Sequence, residues 1–198
     1  MRTAILAGGG ATRFAGRPKG LEVIGGRRIL DRLVETCIAA FGEPPLLVAN
    51  APEAPAWAPT LRVVPDRRPG VGALGGILTA VVAAPAPVVV VAWDMPFVTA
   101  ALLRALADRL DGVDAVLPAS GSRRGVEPLC AAYGPACGPA IERALAKGDQ
   151  RAIGFHAHVR VAVLGEVEVG AWGDPARLFF NVNSPQDLLE AERLAAMT

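Results

Sequence analysis

Short apolar runs alternate with segments of helical spacing along the whole of this 198-residue chain. Strands are predicted over residues 2–6, 46–49, 61–64, 88–92, 115–118, 129–133, 159–164 and 178–182. Helices are predicted over residues 27–41, 73–83, 99–110, 139–147 and from 185 onward. The run 88–92 is apolar at every position, as in a parallel strand buried on both faces. The pattern predicts a three-layer α/β/α, Rossmann-like fold, in which a mostly parallel sheet has helices on both faces.

Signals for helix starts support two of these helices. Ser184 is placed to cap the last helix, with Pro185 at its first helical position and Asp187 completing a capping box. Thr99 is placed to cap an earlier helix in the same way.

Composition narrows the class of protein. Apolar residues make up 52% of the chain, enough for the core of one α/β domain, so we expect a single domain over residues 1–198. The formal net charge of +1 argues against a protein that coats nucleic acid, because such proteins have a clustered basic excess. The longest apolar run, 83–93, is interrupted by two prolines and is shorter than the roughly 20 residues of a membrane span.

Cysteine usage and the amino terminus predict a cytoplasmic protein. Cys37, Cys130 and Cys137 are odd in number and lack Cys-x-x-Cys spacing, so we interpret them as reduced thiols. No signal-peptide apolar region precedes a cleavage site. His156 and His158 are spaced to share one face of a strand, and without a nearby ligand set they indicate surface or edge histidines rather than a metal site.

In a sheet of this kind, ligands bind beyond the carboxyl ends of the strands. That rule selects the segments that follow the predicted strands: Gly8 to Lys19, Asn50, Asp66, Asp94 and Asn181 to Asn183. Of the chain's 20 basic residues only Lys19 and Lys147 are lysines. A lysine kept in a chain that otherwise uses arginine indicates a need for lysine at that position.

The opening turn, Leu6-Ala7-Gly8-Gly9-Gly10, brings three glycines directly after a strand. Glycines let the backbone approach a ligand and point amide N–H groups at an anion. By themselves they also fit an ordinary tight turn, and their spacing matches neither a P-loop nor a dinucleotide fingerprint. Arg13 and Lys19 favour a ligand, because two cations near the turn can hold a triphosphate and neutralise charge during transfer.

Three polar residues follow other strands. Asp94 ends the most apolar strand, where one carboxylate suits Mg²⁺, which also takes phosphate oxygens and water as ligands. A capping or loop-bracing aspartate is the alternative. Asp66 is equally consistent with a turn aspartate paired to a neighbouring arginine. Asn50 is placed either to bind a base or ribose or to stabilise a turn.

Further segments lie at the same predicted edge. Residues 70–76 include four glycines before a helix, which suits base or sugar contacts or a tightly packed helix entrance. Arg123 and Arg124 lie in the loop before Glu127, a polar residue at the edge of the presumed cleft. The two arginines suit an anionic acceptor, although a solvated pair is the commoner meaning.

Taken in order, these motifs resemble those of the molybdenum cofactor guanylyltransferases, within the nucleotidyltransferase superfamily. The resemblance rests on Leu6-Ala7-Gly8-Gly9, Arg13-Phe14, Lys19-Gly20-Leu21, Ala49-Asn50, Pro65-Asp66, Gly72-Ala73-Leu74-Gly75-Gly76, Asp94-Met95-Pro96-Phe97, Glu127-Pro128-Leu129 and Asn181-Val182-Asn183-Ser184-Pro185. Family members commonly have glycine where Ala15 stands and proline where Ala73 stands. Neither difference is at a position for which a charged functional residue is proposed.

The resemblance implies a Mg²⁺-dependent transfer of GMP from GTP to the terminal phosphate of molybdopterin, releasing pyrophosphate and forming the guanine dinucleotide cofactor. It implies these nucleotide-binding residues: Leu6, Ala7, Gly8, Gly9, Lys19, Asn50, Asp66, Asp94, Asn181 and Asn183. Asp94 would also hold Mg²⁺. Arg13, Lys19 and Asp94 are the catalytic candidates, because joining two polyanions depends on positioning and charge neutralisation. A molybdopterin-delivery protein and an apo-molybdoenzyme are the expected protein partners.

Three other functions stay open. A cytidylyltransferase acting on the same pterin more often has Leu-Ala-Ala-Gly at the opening turn, and sugar-phosphate nucleotidyltransferases are usually longer chains. A non-catalytic protein that delivers the cofactor would bind GTP without releasing pyrophosphate. Retention of Arg13, Lys19 and Asp94 disfavours that last function, since binding alone does not need all three.

Overall fold

The computed structural model describes residues 1–8, 18–84 and 86–197, which fold around a seven-stranded sheet. The strands are β1 (Arg2–Leu6), β2 (Val23–Ile24), β3 (Arg27–Arg28), β4 (Leu46–Val48), β5 (Val63–Val64), β6 (Val88–Ala92), β7 (Ala115–Pro118), β8 (Cys130–Tyr133) and β9 (Val161–Leu164). The α-helices are α1 (Ile29–Phe41), α2 (Ala54–Trp57), α3 (Ala73–Ala83), α4 (Ala100–Asp108), α5 (Cys137–Ala146), α6 (Glu166–Gly170), α7 (Pro175–Leu178) and α8 (Pro185–Ala196).

The sheet has the strand order β5-β4-β1-β6-β8-β7-β9. Neighbouring strands are parallel except at β8, which runs antiparallel to both β6 and β7. The prediction of a mostly parallel sheet is confirmed. Because β8 runs in the opposite direction, the residues that precede it share an edge of the sheet with the residues that follow β6 and β7.

Alternate side chains of the central strands pack into two separate cores. Ile5, Val89 and Val91 lie in the core that α1 and α4 cover. Leu6 and Val90 lie in the core that α3 and α5 cover on the opposite face. Since successive residues of a strand point to opposite faces, this division confirms the predicted three layers.

Helix ends follow the predicted signals with one difference. Thr99 Oγ1 accepts a hydrogen bond from Leu102 N, and Ser184 Oγ accepts one from Asp187 N at 3.2 Å. The Asp187 carboxylate, however, accepts from Asn183 N at 2.8 Å rather than from the Ser184 amide. The side chain therefore braces the segment one residue earlier than a standard capping box does.

Two predicted strand assignments are wrong. Residues 178–182 form no strand: Asp174 caps a short helix that begins at Pro175 and ends at Leu178, and a local Asp-Pro start signal outweighs the apolar run that follows. His156–His158 is a 3₁₀ helix rather than part of a strand, and β9 begins only at Val161. His156 is half-buried and packs edge-on against Phe155.

Helix α1 begins at Ile29, two residues later than predicted. Arg27–Arg28 pairs antiparallel with Val23–Ile24, and the two strands are joined by Gly25 and Gly26 at φ of 55° and 76°. A two-residue turn with positive φ at both positions is the turn that a tight hairpin requires, and glycine adopts it without strain. The Gly-Gly pair was the available signal for this hairpin.

None of the described helices is long and apolar enough to cross a membrane. All three cysteines are free and buried, in agreement with reduced thiols.

Candidate active site

A cavity of about 500 Å³ opens at the carboxyl ends of β5, β4, β1 and β6. Its lining residues are Leu6, Ala7, Gly8, Lys19, Val48, Ala49, Asp66, Gly70, Gly72, Ala73, Gly76, Ala92, Trp93, Asp94 and Leu129. Four of the residues singled out by their position after predicted strands are among them: Gly8, Lys19, Asp66 and Asp94. The cavity thus lies where open α/β sheets bind ligands.

Lys19 and Asp94 meet at the β6 side of the cavity. Lys19 Nζ donates to Asn183 Oδ1 at 2.7 Å and lies 3.7 Å from Asp94 Oδ2. Both charged side chains are mostly buried, with 12% and 17% of their surfaces exposed. The Asp94 carbonyl accepts from Val182 N at 2.9 Å, and this bond ties the carboxy-terminal segment to the site.

Burial raises the pKa of the Asp94 carboxyl, and the charge of Lys19 opposes that rise. The ionised carboxylate therefore loses hydration that a single lysine does not fully replace. A further cation beside Asp94 would favour the ionised form.

Asn50 and Asp66 form a second polar pair, on the β5 side of the cavity. Asn50 Nδ2 donates to Asp66 Oδ2 at 2.7 Å, and Asp66 N donates to Asn50 Oδ1 at 2.7 Å. Asp66 Oδ1 is buried and has no hydrogen-bond partner among the described residues. A buried carboxylate oxygen without a donor is costly, so this atom is ready to accept from a ligand.

The glycine-rich segment at the start of α3 forms part of the cavity wall. Gly72 caps α3 at φ 68° and ψ −151°, a conformation that glycine tolerates, and a Cβ at Gly75 would lie 2.9 Å from the Arg68 carbonyl oxygen. Thr79 Oγ1 accepts from Arg67 N at 2.8 Å, a link that the sequence reasoning missed. This bond ties α3 to the segment that follows β5, beside the cavity.

Comparison with known proteins agrees with this geometry. Residues 3–161 match the model of the MobA-like NTP transferase domain. The chain belongs to the MobA-like NTP transferase family.

Individual relatives resemble the chain over nearly its full length. A probable molybdenum cofactor guanylyltransferase of Pelotomaculum thermopropionicum is 34% identical, over 98% of this chain and 93% of that protein. A molybdenum cofactor guanylyltransferase of a Bradyrhizobium species is 37% identical, over 98% of this chain and 92% of that protein. The crystal structure of molybdopterin-guanine dinucleotide biosynthesis protein A from Archaeoglobus fulgidus superimposes with a TM-score of 0.83 at 25% identity, covering all of both chains.

The match to the MobA-like family model ends within β9. The segment with Asn181 and Asn183 therefore lies outside it, and only the structure shows what these side chains contact. Asn183 accepts from Lys19. Asn181 Nδ2 instead donates to the Phe179 carbonyl oxygen at 2.8 Å. Neither asparagine is among the residues that line the cavity.

Trp93 is a cavity residue that the sequence reasoning missed. It stacks on Trp57 with ring centroids 5.3 Å apart, and its indole Nε1 is buried without a hydrogen-bond partner among the described residues. A Cβ at Gly20 would lie 2.9 Å from Trp93 Cδ2. Gly20 therefore lets the turn that contains Lys19 pack directly on the indole.

Two of the candidate residues lie outside the described part of the chain. Gly9 and Arg13 both fall within residues 9–17, so their predicted roles stay predictions. Among the described residues, no three His, Cys, Asp or Glu side chains are grouped to hold a metal ion. A divalent cation at this cavity would therefore need oxygen ligands from the substrate, as Mg²⁺ commonly does.

Proposed function

We propose that this MobA-like transferase moves GMP from GTP to the terminal phosphate of the molybdopterin cofactor. An oxygen of the acceptor phosphate attacks the α-phosphorus of GTP, the bond to the bridging oxygen breaks, and pyrophosphate leaves. The family match and the guanylyltransferase names of the near full-length relatives support this reaction. The observation that carries it is one cavity with an acceptor for a base at one end and a lysine–aspartate pair at the other.

The distance between the two ends suits one nucleotide. Asp66 follows β5 and Asp94 follows β6, and these strands are three places apart in the sheet. With a spacing of about 4.8 Å between neighbouring strands, the two ends lie roughly 14 Å apart. The base would lie near Asp66 and the phosphates near Lys19.

Base choice follows from what the β5 end offers. Guanine presents adjacent N–H donors on one edge and a carbonyl acceptor beside them, whereas adenine and cytosine present an acceptor nitrogen on that edge. The unpartnered Asp66 Oδ1 would accept from N–H groups, and a backbone amide at the start of α3, where Ala73 lines the cavity, would donate to a carbonyl. Asn50 would act by holding Asp66 in place. The donor and acceptor pattern favours guanine.

Lys19 and Arg13 would bind the triphosphate. Lys19 Nζ is held by Asn183 and lies beside Asp94 at the phosphate end, so the protein fixes where its positive charge would meet the phosphates. Gly8 is exposed and open at its Cβ position, and the turn after β1 can approach the phosphates closely. These residues bring the reacting groups together and offset their charge.

The donor set at this end fits Mg²⁺. Asp94 supplies carboxylate oxygens that burial destabilises, which suits a hard divalent cation. When bound, the cation would neutralise charge on the phosphates and polarise the α-phosphoryl group. Asp94 would hold it, while Lys19 and Asn183 keep the carboxylate oriented.

The acceptor would enter from the β7–β8 side. Residues 120–125 form the turn between these strands, closed by hydrogen bonds from Ser120 N to Gly125 O and from Gly125 N to Ser122 O. The exposed Arg123 and Arg124 lie in this turn, at the same edge of the sheet as Asp94. Two guanidinium groups there suit the dianionic phosphate of molybdopterin.

Pyrophosphate release from GTP, CTP, ATP and UTP, with and without molybdopterin, tests the proposal. We expect rapid release only when GTP, Mg²⁺ and molybdopterin are all present. Preference for CTP would identify a cytidylyltransferase, and GTP binding without any release would identify a delivery protein.

A further inference from the structure

Glu127 is a second buried carboxyl at the edge of the sheet that contains Asp94. Only 7% of its surface is exposed. Glu127 lies at this edge because β8 is antiparallel to β6. The residues before β8 therefore adjoin the residues after β6. Its neighbour Leu129 lines the cavity, and Ala92 N donates to the Leu129 carbonyl oxygen at 2.7 Å.

The register of the two strands brings the segments that contain Glu127 and Asp94 next to each other. Val88 pairs with Tyr133 and Val91 with Cys130, so continuing the same antiparallel register pairs residue 94 with residue 127. Both chains turn after the strand ends, and the hydrogen bond from Ala92 N to the Leu129 carbonyl oxygen keeps the two turns side by side. Burial raises the pKa of Glu127, the Leu129 amide and Arg124 oppose the rise, and the charge of Asp94 adds to it.

The carboxylate of Glu127 is oriented by one hydrogen bond. Oε1 accepts from Leu129 N at 3.0 Å. Among the described residues, no donor is hydrogen-bonded to Oε2. A carboxyl group that is more than nine-tenths buried thus has one oxygen held by the backbone and one left for another partner.

Two buried carboxylates at the same edge of a sheet are unfavourable by themselves, because their charges repel each other. They are still less favourable in a site that receives a triphosphate and a phosphate monoester, because both substrates are anions. Lys19 lies beside Asp94, and Arg124 is on the exposed turn. A cation bound by both carboxylates would offset this repulsion.

We propose that Glu127 is a second carboxylate ligand of the divalent cation held by Asp94, so that the cation binds between the ends of β6 and β8. This inference rests on the proposed function, since it assigns a ligand within the same site. It explains why an acidic residue lies buried where anionic substrates meet.

Binding of Mn²⁺, a paramagnetic substitute for Mg²⁺, tests the inference without turnover. Free Mn²⁺ is measured by electron paramagnetic resonance in the presence of a GTP analogue with a methylene group between the α- and β-phosphorus atoms. The variants are Glu127→Gln, which keeps an acceptor for Leu129 N, Glu127→Asp, which shortens the carboxylate, and Asp94→Asn. The matched control is Glu190→Gln, on the exposed surface of α8.

We expect Glu127→Gln to raise the Kd for Mn²⁺ about 10- to 100-fold, with Glu127→Asp intermediate and Glu190→Gln unchanged. Circular dichroism shows whether each variant is folded, and Glu127→Asp decides the question if Glu127→Gln does not fold. A Kd for Mn²⁺ within about twofold of the wild type in a folded Glu127 variant overturns the inference. So does a variant that changes only the KM for molybdopterin, which would place Glu127 against the acceptor.

The two proposals fail in different ways. If the wild-type protein and the GTP analogue together bind no Mn²⁺, both the metal site of the proposed function and this inference are wrong. If the wild type binds Mn²⁺, Asp94→Asn abolishes the binding and Glu127→Gln does not affect it, only the assignment of Glu127 is wrong.

Discussion

Replacement of Asp66 by asparagine is a direct test of how the cavity selects its nucleotide. Asn50 Nδ2 donates to Asp66 Oδ2 at 2.7 Å, so the substituted amide will turn its carbonyl oxygen toward Asn50. Its NH₂ group then takes the place of Oδ1, the buried oxygen with no partner among the described residues. A donor would face the N–H donors of guanine where an acceptor is needed.

The expected loss in kcat/KM for GTP corresponds to the removal of one charge-assisted hydrogen bond. Such bonds contribute about 1.5–3 kcal/mol, because a buried donor or acceptor loses its partner when the bond is removed. At about 1.4 kcal/mol for each factor of ten, Asp66→Asn should lower kcat/KM for GTP roughly 10- to 150-fold. The fold should be retained, since the asparagine keeps the bond to Asn50.

Inosine triphosphate separates base recognition from a general loss of activity. Its base lacks the 2-amino group, so the wild-type enzyme should prefer GTP over ITP, and Asp66→Asn should reduce that preference. Pyrophosphate release with molybdopterin as the acceptor gives kcat/KM for each nucleotide. Asp111→Asn, an exposed aspartate at the opposite edge of the sheet, is the control. A folded Asp66→Asn protein with the wild-type ratio of GTP to ITP activity would refute the assignment.

Further predictions concern the phosphate end and the core. Asp94→Ala should abolish transfer with the circular dichroism spectrum unchanged, and normal turnover would disprove its metal role. Lys19→Ala should lose at least roughly 2 kcal/mol of transition-state stabilisation, about 30-fold in kcat/KM. Activity should fall as the pH drops through the raised pKa of Asp94, because only its ionised form binds the cation. Since Lys19 lowers that pKa, the residual activity of Lys19→Ala should be lost at a higher pH than in the wild type; an unshifted profile would contradict this. Gly20→Ala should lower stability by about 1–3 kcal/mol in chemical denaturation, because the added methyl overlaps Trp93. Burial raises the pKa of Cys37 to about 12, so this thiol should resist alkylation at pH 8 until the protein unfolds, as mass spectrometry would show.

Elements with strong local signals were predicted closely. The bounds of β1, α3 and β6 agree with the predicted ones, because each contains an apolar run and has glycine or proline close to at least one end. The predicted strand over 178–182 failed because an apolar run of that length fits several structures. The actual structure of this segment depends on the Asp174-Pro175 helix start and on the hydrogen bond from Val182 N to the Asp94 carbonyl oxygen.

The candidate site could be predicted in part. The rule that ligands bind beyond strand ends placed Gly8, Lys19, Asp66 and Asp94 on one edge, and the cavity confirms that they lie together. It did not indicate that Asn183 would hold Lys19, since the two are 164 residues apart in the chain. Nor did it indicate that Trp93 would pack on Trp57 and Gly20.

The sequence by itself determined which segments have helical or strand spacing of apolar residues, where helices are capped, and the order of polar residues at strand ends. These depend on neighbours within a few residues, and local steric and hydrogen-bonding preferences are sufficient. The tertiary structure alone decided that β8 runs antiparallel, and with it that Glu127 lies at the same edge of the sheet as Asp94. The direction of a strand depends on which distant segments bury its two faces and accept its hydrogen bonds, and no local pattern contains that information.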